Sequence, residues 1–221
     1  MRDRIMKRFM MRFLDLLLGL FLFALGIVLT INANIGYAPW DVFHVGLSLA
    51  AGISIGAASI ITGLVILAIV VVCGEKIGFG MILNVVLIGM FIDLIMIFSL
   101  IPVSVNFISG VVMLIAGLFI ISVGSYFYIK SAFGTGPRDS LMVLIKRKTN
   151  FPVGVCRSAI ELAATLVGWL LGGMVGIGTV ISVIAIGFCI QITFAILKFD
   201  VAAVKHETLK QTFDFFVKAK T

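Results

Sequence analysis

Polar and charged positions in this chain are gathered at intervals, and six long apolar stretches lie between them, at about 13–31, 57–74, 81–101, 108–129, 153–172 and 177–197. Each is close to the roughly 20 residues that a helix needs to cross the hydrocarbon core of a bilayer. In lipid every backbone amide and carbonyl must be bonded within the protein, so such runs predict helices that cross the membrane. Two shorter stretches, 39–50 and 137–148, follow the first and fourth runs. At 1.5 Å per residue, about 12 residues reach roughly 18 Å against a core near 30 Å. They are expected to be half-helices, re-entrant or lying at the interface. The fold class expected is all-α: a polytopic membrane protein with six transmembrane helices.

Both short stretches open on the same motif, Gly36-Tyr-Ala-Pro-Trp-Asp41 and Gly134-Thr-Gly-Pro-Arg-Asp139, written G-x-x-P-x-D. Proline suits the first helical position, where its missing N–H costs nothing. Aspartate two residues later sits among the free amides and the positive end of the helix dipole. The motifs lie 98 residues apart (Gly36 to Gly134), and the same offset pairs Gly19 with Gly117, Gly26 with Gly124, Gly56 with Gly154, Gly78 with Gly176, Gly80 with Gly178 and Gly89 with Gly187. At about one glycine in ten, chance would align on the order of one such pair, so the chain reads as an internal duplication. The organisation expected is 1–101 as a first three-span repeat, 102–200 as a second, and 201–221 as an amphipathic tail. The helix glycines let neighbouring helices approach closely, and this packing is expected within each repeat.

With 62% apolar and 12% charged residues among 221, a soluble globular chain is excluded. The net charge of +7 reflects topology, because no nucleic-acid motif accompanies it and the cations sit at span ends. If the N-terminus is cytoplasmic, all 17 Lys and Arg fall on the inner side: five before the first span, Lys76 in a turn, six from Lys130 to Arg157, and five in the tail. The segments 32–56, 102–107 and 173–176 hold none. Three spans per repeat is an odd number, so the second copy enters the membrane from the opposite side, as an inverted repeat does. The basic lead-in is read as part of an uncleaved first helix. Cys73, Cys156 and Cys189 are unclustered and His44 and His206 are far apart, so neither a disulfide framework nor a metal site is expected.

An inverted pair would aim both half-helix starts at one cavity. The candidate substrate-binding residues are therefore Gly36, Pro39, Trp40, Asp41, Gly134, Pro137, Arg138 and Asp139. The aspartates are read either as caps for their own helix starts or as groups that take a proton or cation. Asp93, which the offset pairs with Gln191, is placed near mid-span and is a candidate for ion or proton coupling, because a carboxylate at depth is costly. Arg157 and Glu161, one helical turn apart, are a second candidate pair there. No catalytic residue, metal site or cofactor is assigned.

The duplicated motif, the length and the basic N-terminus resemble the bacterial YczE/YyaS/YitT family of integral membrane proteins, most nearly its YczE branch. The resemblance implies a bacterial inner or plasma membrane location and brings no established site residues with it. The leading expectation is a small transporter or permease for a small polar or anionic solute. An accessory protein supporting a cytoplasmic enzyme or secondary-metabolite production is the alternative, using the basic loop and tail. An intramembrane enzyme with an aspartate dyad is a third, and it requires the two carboxylates to share a proton. The partners expected are the lipid bilayer and an unidentified solute, without nucleic acid, with a homo-oligomer left open.

Overall fold

The computed structural model describes residues 2–213, and no strand occurs among them. Eight helices carry the fold: α1 (Arg2–Asn32), α2 (Pro39–Ala51), α3 (Ile55–Val72), α4 (Phe79–Ile97), α5 (Phe107–Ser131), α6 (Pro137–Thr149), α7 (Val153–Leu170) and α8 (Ile177–Ile196). Six of them, all but α2 and α6, are long and apolar enough to cross a membrane. The two short helices start where the motifs place them, with proline in the first turn of each. They end on left-handed residues, Gly52 (φ 66°) and Asn150 (φ 60°), which release the chain from the helix.

At the centre α1 and α5 run antiparallel, with Gly19 against Gly124 and Gly26 against Gly117. A Cβ on Gly26 would lie 2.7 Å from the Gly117 carbonyl oxygen, so the backbones touch where side chains are missing. The glycines thus pack the two halves onto each other, where the sequence predicts packing within each half. Beside this seam, Leu16, Leu20, Ala24 and Val28 of α1 are almost wholly buried in the core.

The remaining contacts are of two kinds, the outer spans packing within a half and the two short helices packing across to the other half. Helix α4 packs on α1 and α8 on α5, while α2 packs on α7 and α6 on α3. Outward faces of α7 and α8 expose Leu162, Leu170, Ile184 and Phe188, as a surface against lipid does.

Ion pairs and hydrogen bonds sort the loops into two ends. At one, Lys130 pairs with Asp15 at 3.1 Å, Arg147 with Glu75 at 3.2 Å, and Arg12 donates to the Ser131 carbonyl at 2.8 Å. At the other, Asn32 donates to the Ile101 carbonyl at 2.7 Å and the Tyr37 amide to Met174 at 3.2 Å. The loops rich in cations therefore share one end, and those without cations share the other.

The tail differs from the amphipathic helix expected over 201–221. After a short 3-10 turn (Val201–Ala203) the chain runs without regular structure to Thr208, and helix resumes at Leu209; residues 214–221 lie outside the described residues. The Glu207 amide bonds the Ala132 carbonyl and the Leu209 amide bonds Ile77, each at 2.8 Å. Arg12 fixes Glu207 by an ion pair at 2.7 Å. Those bonds satisfy the backbone better than a free surface helix start would, and Gly78 leaves the space they need.

Candidate functional site

Each motif begins with a glycine in a conformation that side chains rarely adopt, φ 115° at Gly36 and 123° at Gly134. There the loop crosses the start of a span from the same end. A Cβ on Gly36 would lie 2.6 Å from the Gly176 nitrogen, and one on Gly134 would lie 2.8 Å from the Gly78 Cα. Matching bonds lock the crossings: the Gly80 amide donates to Phe133 and the Gly178 amide to Ile35, each at 2.8 Å. Gly36 and Gly134 thus set the path of the chain and do not border the cavity that follows.

That cavity, of about 370 Å³, is bordered by Pro39, Trp40 and Asp41 from one helix start and Pro137, Arg138 and Asp139 from the other. Its size falls in the range typical of small-molecule sites, roughly 300–1,000 Å³. Although the loops leading into the two starts cross at opposite ends of the bundle, the side chains of the starts meet. The Arg138 guanidinium lies 4.7 Å from the centre of the Trp40 ring. Asp41 is 3% exposed, whereas Asp139 is exposed to the cavity. Burial lifts the Asp41 carboxyl to about 6, against the pull of the Arg138 charge and the nearby Thr30 hydroxyl. Burial and Arg138 together push His44 well below its usual range, so its ring is neutral at neutral pH.

Arg157 and Glu161 also border the cavity and pair at 3.0 Å, the one-turn ion pair that their spacing predicts. Asp93 and Gln191 are not brought there. Asp93 accepts from the Gly56 amide at 2.8 Å and from the Ser54 hydroxyl, holding the start of α3. The apolar run continues to 101, which is what puts Asp93 at mid-span in the sequence. The helix stops at Ile97, so Asp93 lies one turn from its end. Gln191 sits on an exposed face of α8.

Several polar residues border the cavity that sequence reasoning does not single out, among them Thr62, Asn84, Tyr128 and Ser182. The offset holds a signal for two of them, since Asn84 and Ser182 are also 98 positions apart. Three side-chain atoms here are buried without a hydrogen-bond partner in the protein: His44 Nδ1, Tyr128 Oη and Ser182 Oγ. His44 Nδ1 is 3.9 Å from Asp41 Oδ1, too far for a hydrogen bond. Leaving such an atom unmet costs about 1–3 kcal/mol, so water or a ligand in the cavity would meet all three.

Comparison with known proteins agrees with this architecture. Residues 10–194 match the family of unknown function DUF6198. The "Uncharacterized membrane protein YczE" of Bacillus subtilis (strain 168) is 36% identical over 178 residues, covering 78% of this chain and 80% of that protein. An "Uncharacterized protein" of Haemophilus influenzae is 31% identical over 176 residues, 80% of each chain. The "Uncharacterized protein YyaS" of Bacillus subtilis is 25% identical over 184 residues, 82% of this chain and 91% of its own. No solved structure matches the chain. With six apolar helices and these relatives, the chain belongs to the DUF6198 family, on its YczE-like branch, as a multi-pass membrane protein.

Proposed function

We propose that the protein is a small permease of the bacterial cell membrane, with both termini cytoplasmic, that moves a small polar solute through the cavity between the two motifs. The observation that carries this reading is the meeting of Trp40 and Arg138 in one cavity bordered by both helix starts. Transporters built from inverted repeats place substrates at such a junction, where interrupted helices leave backbone groups for a ligand.

An inverted relation of the halves is supported by the antiparallel seam of α1 and α5 and by the exchanged packing of α2 on α7 and α6 on α3. Cytoplasmic placement of the basic end follows from the rule that Lys and Arg remain inside. The halves also differ in a way that suits alternating access. Helices α3 and α4 pack together, whereas α7 and α8 are not a tightly packed pair. The cavity follows α8 to Ile190 and Phe194, while their counterparts Ile92 and Met96 do not border it. In this reading the structure is the state open toward the cytoplasm. Within the described part of the tail, the backbone at Glu207 and Leu209 is bonded to the chain's own loops and so is not free to pair with a partner.

Flux in reconstituted vesicles, measured over a broad panel of small polar solutes, tests the proposal. Wild-type protein should carry at least one solute, and Asp139→Asn should reduce that flux tenfold or more. No wild-type flux for any solute would overturn it.

A further inference from the structure

Taking the cavity as a solute site, as above, its charge balance bears on which solute it takes. Five charged side chains border it: Asp41, Asp139 and Glu161 against Arg138 and Arg157. Arg157 and Glu161 answer each other at 3.0 Å. Of the charges around Arg138, that of Asp41 acts on it most strongly, and one face of the guanidinium rests on Trp40. Asp139, which is exposed to the cavity, feels the charges of both Arg157 and Arg138 but makes an ion pair with neither, and three carboxylates against two guanidiniums leave one negative charge over. The remaining titratable neighbours do not compensate it. His44 is neutral, and burial keeps His206, within electrostatic reach of Asp139, below its usual range.

The unpartnered atoms point the same way. The hydroxyls of Tyr128 and Ser182 accept hydrogen bonds as readily as they donate them, and a neutral imidazole has one accepting nitrogen. An ammonium group, whose three N–H bonds all donate, can be met in this cavity by Asp139 and by these atoms as acceptors. An anion would meet the opposite situation: two carboxylates nearby, and a guanidinium already occupied. Around this polar patch the wall is aliphatic, with Ile27, Ile88, Leu118 and Ile186. We infer that the cavity binds a small solute carrying one positive charge, an aliphatic amine in its ammonium form, with the charge at Asp139 and the alkyl part against the isoleucines. Of the two solute classes open at the sequence level, this favours the polar one and removes the anionic one.

The test is binding of four probes of equal chain length, butylammonium, butyrate, 1-butanol and γ-aminobutyrate, to the full-length protein in detergent, by calorimetry and thermal unfolding. Butylammonium should bind at least tenfold more tightly than the other three and raise the unfolding temperature. Asp139→Asn should lose that preference by at least tenfold, while Gln191→Ala, away from the cavity, should keep it. If Asp139→Asn does not fold, Ser182→Ala, which removes one of the unpartnered acceptors, should weaken butylammonium binding, and unchanged binding there overturns the inference. Tighter binding of butyrate or butanol would overturn the cationic class and leave the solute site standing. Absence of binding by all four probes overturns the inference, and joined to absent flux it overturns the solute site as well. Unchanged butylammonium affinity in Asp139→Asn overturns the role given to Asp139.

Discussion

Arg138 rests over the ring of Trp40, 4.7 Å from its centre, although the two occupy equivalent places in motifs 98 positions apart. A cation on an aromatic face contributes about 0.5–2 kcal/mol, more when water is excluded. Arg138 also offsets Asp41, so its loss removes two interactions and leaves a buried carboxylate. Arg138→Ala should therefore destabilise by roughly 1–3 kcal/mol, more than Trp40→Leu does. Adding Asp41→Asn to Arg138→Ala should recover part of the loss. Thermal unfolding of the three variants in detergent decides it: no recovery in the double variant means that the pair does not act through charge.

The seam between α1 and α5 predicts a sharp contrast among glycines. Gly26→Leu forces a side chain into the Gly117 carbonyl, and overpacking of this kind costs typically about 1–3 kcal/mol. At Gly187 a Cβ would meet nothing within 4 Å. Gly187→Ala should therefore leave stability unchanged or raise it by up to about 1 kcal/mol through helix propensity. Equal unfolding temperatures for Gly26→Leu and wild type would contradict the close approach.

Acidity acts through Asp41. Its carboxyl titrates at about 6 in the folded protein against an ordinary 3.8. Because the folded state holds the proton more tightly, the stability linked to this group is present at low pH and declines as pH rises from about 4 through about 6. Unfolding temperature should fall across that window in wild type, and Asp41→Asn should flatten the fall. An identical pH profile in both proteins would exclude Asp41 as its source.

Accessibility tests both sidedness and the opening. In a background without Cys73, Cys156 and Cys189, a cysteine at Ile190 or Phe194 should react with a water-soluble thiol reagent at least tenfold faster than one at Ile92, which is fully buried. Cysteines at Asn34 and Asn106 should label from outside intact cells, and one at Lys148 should not. Labelling of Lys148 from outside would reverse the proposed orientation.

The parts of the fold legible in the sequence are those that lipid dictates. Span length, the two short helices at Pro39 and Pro137, and the segregation of cations follow from the absence of water in the membrane, which leaves the backbone and the charges few alternatives. The pairing of the motifs is legible too, because glycine and proline answer to backbone geometry. Asp93 is not, because an apolar run does not show where its helix stops, and the free start of α3 claims the carboxylate. Asn84 and Ser182 escape notice since small polar residues within spans carry no charge. The tail is illegible because helical spacing says nothing of Arg12, nearly two hundred positions earlier, which holds Glu207.

The glycine seam has a consequence for how such a chain arises. Gly19 meets Gly124 and Gly26 meets Gly117, yet by the 98-residue correspondence Gly117 is Gly19 again and Gly124 is Gly26. The surface is self-complementary, as two-fold dimer interfaces are. On the proposed inverted relation of the halves, two separate copies of one half, inserted in opposite directions, would bury the same backbone contacts that lie inside this single polypeptide.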